Sequence, residues 1–160
     1  YSPLRHWKVG PGKKVGIVGI GGLGHMGIKL AHAMGATVVA FTTSESKREA
    51  AKVLGADEVV VSRNADEMMV YRKSFDFILN TVAVSHDLDA FMALLKRDGT
   101  MALVGVPATA HPSPQVFNLV GKRRNLAGSM IGGIPETQEM LDFCAQHNIA
   151  SDIEIIRADE

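Results

Sequence analysis

The sequence predicts an α/β domain built as an open, doubly wound parallel sheet with helices on both faces, a three-layer α/β/α arrangement. Three observations predict it. Strand-like and helix-like segments alternate along the chain, several strand candidates are near-continuous apolar runs, and a glycine-rich turn joins the first strand to the first long helix. Parallel strands need a crossover connection, usually a helix, so the alternation points to a parallel sheet. Apolar runs without in-out alternation mark strands covered on both faces.

Residues 1–12 read as a linking helix, carrying Leu4 and Trp7, followed by a turn. Pro11-Gly12-Lys13 signals that turn and opens the first strand, Lys14 to Val18. In the next helix Leu23, Gly27, Leu30 and Met34 recur at spacings of four, three and four, which predicts an inward face, while His25, Lys29 and His32 fall elsewhere. Gly35 ends it. The second strand starts with β-branched Thr37 to Val39 and runs through Ala40 and Phe41 to a helix expected to turn Ala50, Val53 and Leu54 inward.

Gly55-Ala56-Asp57 turns into a third strand, Glu58 to Val61. Asp66 to Arg72 then reads as helix, Phe75 to Thr81 as the fourth strand and Asp87 to Leu95 as helix. Lys96-Arg97-Asp98-Gly99 is a turn signal before the fifth strand, Thr100 to Gly105. A less regular stretch with Pro107, Pro112 and Pro114 leads to the sixth strand, Leu126 to Ile131. Pro135 starts the last helix, Glu136 to His147, because proline is well tolerated at a first helical position.

Bulk composition narrows the functional classes. At 160 residues, with 46% hydrophobic and 21% charged residues, the chain suits one globular domain, and the 1–160 span is read as such. Lys plus Arg equals Asp plus Glu at 17 each, so net charge points to neither a nucleic-acid nor a membrane-surface partner. No stretch approaches a membrane span. A single cysteine, Cys144, cannot close an internal disulfide or build a Cys-rich zinc site, which fits a reducing cytoplasm. The chain opens on Tyr1-Ser2-Pro3 without an initiator Met, as a piece of a longer protein would.

Sheets of this kind bind ligands across the C-terminal strand ends, so function is sought in a handful of loops. Gly19-Ile20-Gly21-Gly22-Leu23-Gly24 is a Gly-x-Gly-x-x-Gly run between a strand and a helix, the placement of a Rossmann-type dinucleotide turn. Gly19 permits the tight turn, Gly21 lets backbone approach a pyrophosphate, and Gly24 lets the helix pack on the strand. The helix N-terminus, around Gly22 and Leu23, offers unpaired N–H groups and partial positive charge to the phosphates.

After the second strand, an NAD-preferring site carries an acid about 20 residues past the glycines to bind the ribose hydroxyls. Here Thr42-Thr43-Ser44 stand instead, and the first carboxylate, Glu45, comes one residue later. Ser46-Lys47-Arg48-Glu49 reads as a capping box that would set Lys47 and Arg48 in the first helical turn. Two cations beside hydroxyls at a helix start suit a dianionic 2′-phosphate, and NADP is favoured over NAD. The competing reading leaves both cations in solvent, where surface Lys and Arg usually point.

Thr81-Val82, Gly105-Val106 and Ser129-Met130-Ile131 follow the fourth, fifth and sixth strands, where the nicotinamide half would lie. Their small or apolar lining suits an uncharged carboxamide and one face of a ring. Other candidates carry less. The six histidines, His25 and His32 included, lack ligand spacing with an acid or cysteine, so no metal is assigned to this chain. Ser113 and Cys144 show no nucleophile signature, and Cys144 falls with Met140 and Leu141 on an inward face. Lys122-Arg123-Arg124 reads as a solvated basic run without a role.

The runs Val18-Gly19-Ile20-Gly21-Gly22-Leu23-Gly24-His25-Met26-Gly27, Phe41-Thr42-Thr43-Ser44, Gly55-Ala56-Asp57-Glu58 and Gly128-Ser129-Met130-Ile131-Gly132-Gly133 resemble the cinnamyl alcohol dehydrogenase group of medium-chain, zinc-dependent reductases. The resemblance covers essentially the whole chain. It implies a two-domain parent, a GroES-like catalytic domain plus this one, that reduces aldehydes to alcohols with NADPH. It implies that Thr43, Ser44 and Lys47 hold the 2′-phosphate, with Arg48 beside them. It also implies that the zinc ligands lie outside this stretch, that 152–160 begins the return toward the catalytic domain, and that the chain alone binds cofactor without turnover. Family members commonly dimerise by joining sheet edges, and Gln115 to Asn118 with the sixth strand resembles that edge. Two other readings stay open: a zinc-free quinone reductase of the same superfamily, and a non-catalytic nicotinamide-sensing module.

Overall fold

Strands β1 (Lys14–Val18), β2 (Thr37–Thr42), β3 (Glu58–Val61), β4 (Phe75–Asn80), β5 (Leu95–Leu103) and β6 (Asn125–Gly128) form one sheet in the order β3-β2-β1-β4-β5-β6. Every pairing is parallel in this computed structural model, which describes residues 1–157. The helices are α1 (Ser2–His6), α2 (Gly22–Ala33), α3 (Arg48–Val53), α4 (Ala65–Val70), α5 (Asp89–Met92), α6 (Val116–Val120) and α7 (Ile134–Gln146). The expected doubly wound α/β fold is the one observed. Of the expected return segment 152–160, residues 152–157 carry no regular structure and 158–160 lie outside the described residues.

The two faces of the sheet bury separate apolar clusters, which is why its strands carry apolar residues toward both sides. On β1, Val15 and Ile17 face one cluster with Leu4, Ile28, Leu30, Ala31, Phe77 and Leu79. Val18 faces the other, with Phe41, Phe75, Ile78, Phe91, Met92 and Met101. Trp7 stacks on Phe77 with centroids 5.5 Å apart, so the linking helix α1 is fastened to the first cluster.

Several expectations need correction. Leu23 is 62% exposed and does not share an inward face with Gly27 and Leu30; α2 packs instead through Gly24, Gly27, Ile28, Leu30 and Ala31. On α3 the buried residue is Ala51, while Val53 is 88% exposed and Ala50 is exposed. The Lys96–Gly99 turn does not precede β5 but lies inside it. Leu95 already pairs with Phe75 and Thr100 with Phe77, so Lys96–Gly99 bulge out, with Asp98 at φ 63°. α6 forms inside the stretch read as irregular, and β6 ends at Gly128 before Ser129.

The order of strands reverses between β1 and β4, which places a crevice outside their carboxyl ends. Val18 pairs with Phe41 on one side and Asn80 on the other. The loops after Val18, Thr42 and Asn80 therefore open onto one edge.

Candidate functional site

The glycine turn leaves β1 at Gly19, whose φ of 91° is a left-handed conformation that costs an L side chain energy. Its N–H donates to the Phe41 carbonyl at 3.0 Å and so prolongs the β1–β2 pairing by one residue. Gly24 lies against this turn. A Cβ there would stand 1.9 Å from the Gly19 carbonyl oxygen, a distance no side chain survives. Thr81, after β4, donates its hydroxyl to the Val18 carbonyl at 2.8 Å and fixes the turn from the other side.

Gly21 and Gly22 are the opposite case. Both are exposed, and a Cβ at either would meet nothing within 4 Å. Gly21 is the N-cap of α2 in extended backbone, with no side chain capping the helix. The first N–H groups of α2 thus open onto unfilled space, the condition under which an anion is bound at a helix start.

Beyond β2, the Thr42 hydroxyl accepts the Ser44 N–H at 3.1 Å, and the Ser44 and Ser46 hydroxyls pair at 2.7 Å. Thr43 is exposed and Ser44 half-buried. The expected capping box does not form. A 3-10 turn, Glu45–Lys47, precedes α3, Lys47 is its N-cap residue without a side-chain capping bond, and Ser46 is already engaged with Ser44. Lys47 nonetheless reaches the glycine turn, donating from Nζ to the Ile20 carbonyl at 3.2 Å.

Arg48 turns elsewhere. Its guanidinium donates to the Glu45 carboxylate and the Val59 carbonyl, both at 2.5 Å, and to both Glu67 oxygens at 2.8 Å. Glu45 is thereby paired with Arg48, and Lys47 remains as the cation bonded to the turn. Glu67 also accepts the Val61 N–H at 3.0 Å and the Asn64 amide at 3.1 Å, so Arg48 ties the start of α3 to the end of β3.

Arg48, then the Val61 amide, hold the Glu67 carboxyl below its ordinary value near 4.5. A carboxyl lowered in the folded state stabilises the fold above that ordinary value, and the contribution is lost as pH falls through the lower folded value. Arg48→Met is therefore expected to raise the Glu67 midpoint and move acid unfolding to higher pH. A side-chain carboxyl NMR titration reads the midpoint; an unmoved one would contradict the pairing.

Asn80, missed in the sequence, sits 1% exposed at the end of β4. Its Oδ1 accepts the Val82 N–H at 3.1 Å, and its carbonyl accepts the Val104 N–H at 3.0 Å and the Gly105 N–H at 3.4 Å. Its Nδ2 lies 2.9 Å from His86 Nε2. With Oδ1 accepting, Nδ2 must donate, so His86 is the tautomer whose Nδ1–H donates to the Val84 carbonyl at 2.7 Å. Asn80 thus ties the loop after β4 through its side-chain amide and the loop after β5 through its backbone carbonyl, holding Thr81-Val82 and Gly105-Val106 side by side. A polar residue closing the apolar run Phe77 to Leu79 was the available signal.

The Ser129 N–H continues the sheet by donating to the Leu103 carbonyl at 3.0 Å, while Met130 and Ile131 are 86% and 88% exposed. Val106, in the loop after β5, is exposed as well. Strands β1, β4, β5 and β6 therefore end in one row of loops with an apolar, uncovered rim. No group of three or more His, Cys, Asp or Glu residues suited to a metal occurs among the described residues.

A family model, zinc-binding dehydrogenase, matches residues 22–146. The chain belongs to the zinc-binding dehydrogenase family. A member similar to it is aldehyde reductase YahK of Escherichia coli, 80% identical over 160 residues, which cover 100% of this chain and 46% of that protein. Among solved members, a cinnamyl alcohol dehydrogenase from Sorghum bicolor superposes with a TM-score of 0.95 at 39% identity, covering 99% of this chain and 45% of its own. A CAD from Helicobacter pylori, solved with NADP(H), gives 0.87 at 40% identity, covering 98% and 44%. The chain spans about half the length of the curated relatives it matches.

Proposed function

We propose that this chain is the cofactor-binding half of an NADP(H)-dependent, zinc-dependent alcohol dehydrogenase or aldehyde reductase. The observation that carries it is the meeting of Lys47 with the glycine turn: an ammonium bonded to Ile20, close in sequence to the Thr43 and Ser44 hydroxyls, with Glu45 paired to Arg48. A dianion entering there would take over an ammonium now satisfied by a single neutral carbonyl. The relatives support the same reading, one named an aldehyde reductase and another solved with NADP(H).

Gly19, Gly21, Gly22, Leu23 and Gly24 would receive the pyrophosphate, in space that a Cβ on Gly21 or Gly22 would fill. Thr43, Ser44 and Lys47 would hold the 2′-phosphate. Arg48, expected beside them, has its donors on Glu45, Val59 and Glu67, so it would support the loop. Thr81, Val82, Gly105, Val106, Ser129, Met130 and Ile131 would border the nicotinamide. The cofactor supplies hydride when bound; this chain's residues fix where its ring stands and exclude water with the apolar rim. Zinc, as the family likeness implies, would be held by residues outside this chain.

Small aldehydes or alcohols would be the substrates of the whole protein, and the half-buried Cys144 thiol supports a cytoplasmic setting. No helix among the described residues is long and apolar enough to cross a membrane. The β6 edge, flanked by exposed Val116 and Val120, supports a homodimer joined edge to edge. Sedimentation would overturn that pairing with a strict monomer at high concentration.

Assayed with NADPH, the 160-residue chain is expected to bind cofactor and reduce no aldehyde. Zinc-dependent aldehyde reduction by this chain alone would overturn the division of labour. NADPH oxidation by a quinone in the whole protein, with aldehydes inert, would favour the quinone-reductase reading instead.

A further inference from the structure

Four cationic side chains that the dinucleotide site does not use gather at the other edge of the sheet. Arg72 and Lys73 stand between α4 and β4, and Lys122 and Arg124 between α6 and β6. Together they line an open cleft of about 220 Å³. Each lies before a strand, whereas the glycine turn and the hydroxyls lie after strands; the six residues of β4 separate the two edges by about 20 Å.

The basic run Lys122-Arg123-Arg124 is divided by the fold. Arg123 pairs with Asp98 across the β5 bulge, and the flanking two cations turn to the cleft. No carboxylate lines the cleft, and among the described residues none of its four cations is in an ion pair. Arg124 is held by neutral carbonyls: Leu95 at 2.8 and 3.0 Å, Asn118 at 3.2 Å and Ala93 at 3.3 Å. These take four of its five N–H groups and orient the guanidinium without balancing its charge. Burial, then the nearby charge of Arg72, lower the pKa of Arg124.

The cleft also has an apolar wall. Phe117, 78% exposed, lies over Gly121, where a Cβ would come 3.4 Å from the ring, and Ala93 is part of the same lining. An uncovered aromatic beside several cations suits a ligand with an anionic head and an apolar body.

We propose that this cleft binds a small organic phosphate, its phosphate among Arg72, Lys73, Lys122 and Arg124 and its apolar part on Phe117. A dianionic phosphate matches several cations where a single carboxylate would leave most of the charge excess in place; the Arg72 fork fits its oxygens, while Arg124, held by carbonyls, adds charge and one remaining N–H. The inference is independent of the cofactor reading.

The test is calorimetric titration of the full-length protein, at constant ionic strength and with saturating NADP⁺, using phenyl phosphate and inorganic phosphate as probes. Phenyl phosphate is expected to bind saturably, at least about threefold tighter than inorganic phosphate because of the ring contact. The double variant Lys73→Gln/Lys122→Gln is expected to weaken it at least about tenfold, through lost charge-assisted bonds. Neither side chain forms a hydrogen bond or ion pair in the fold among the described residues, so stability should hold; Arg72→Gln is the second variant should it not. Lys47→Glu should leave this binding unchanged. Absence of saturable binding, equal affinity for the two probes, or indifference to the cleft variants would overturn the proposal. So would sensitivity to Lys47→Glu, which would locate the probe in the dinucleotide cleft, or loss of binding where the protein sediments as a dimer, which would mean that a second copy fills this one.

Discussion

Gly24→Ala is expected to destabilise the protein by about 3 kcal/mol and to abolish measurable dinucleotide binding. The added methyl would stand 1.9 Å from the Gly19 oxygen and 2.8 Å from its carbonyl carbon, and both are backbone. Relief requires α2 to move off the turn or the turn to unwind. Gly19 has little freedom to yield, since its φ of 91° and its bonds to Phe41 and Thr81 already fix it. Movement of α2 would also disturb Ile28 and Ala31, both fully buried against the sheet.

Gly21→Ala provides the contrast, because its methyl meets nothing within 4 Å in the free protein and its backbone is extended. Stability should change by less than about 1 kcal/mol while cofactor affinity falls at least about tenfold, the methyl occupying the pyrophosphate's approach. Chemical denaturation and cofactor titration of the two variants separate the roles. A Gly21→Ala protein that binds normally would remove Gly21 from the site.

Lys47→Glu is expected to weaken NADP⁺ binding about 100-fold, close to 3 kcal/mol, while NAD⁺ affinity changes less than about threefold. The substitution removes an ammonium that reaches the glycine turn and adds a carboxylate to a loop whose acid Glu45 is paired with Arg48. A 2′-phosphate would meet repulsion; a 2′-hydroxyl would not. Since Lys47 also bonds the Ile20 carbonyl, Lys47→Met separates bracing from charge recognition. If the methionine variant loses NAD⁺ and NADP⁺ equally, the lysine acts on the turn alone and the phosphate assignment fails.

The parts legible in sequence were those whose cause is local. Strands β1 and β3 begin and end where their apolar runs and flanking turns predicted, and the glycine turn sits between strand and helix as its spacing required. Helix faces were less legible. The four-three-four recurrence from Leu23 overlooked that Gly24 and Gly27 are the close-approach residues, so α2 docks on Ile28 and Ala31 and Leu23 is left outside. The Asp98 turn signal was correct as local geometry and wrong as a boundary, because β5 pairs with β4 on both sides of the bulge.

Long-range partners were the least legible. Arg48 read as a phosphate cation because its partner Glu67 lies 19 residues away and nothing local announces the pair. Asn80 and His86 combine only once the loop after β4 folds back. The basic run at Lys122 read as solvated surface, since its convergence with Arg72 and Lys73 depends on β4, β5 and β6 starting at one sheet edge.

The central claim, that the glycine turn and the loop after β2 form an NADP(H) site, is tested most directly by titrating the unsubstituted protein with NADP⁺ and with NAD⁺ under one set of conditions. NADP⁺ is expected to bind at least about tenfold tighter, the worth of one charge-assisted contact to the 2′-phosphate. Equal affinities, or tighter binding of NAD⁺, would contradict it.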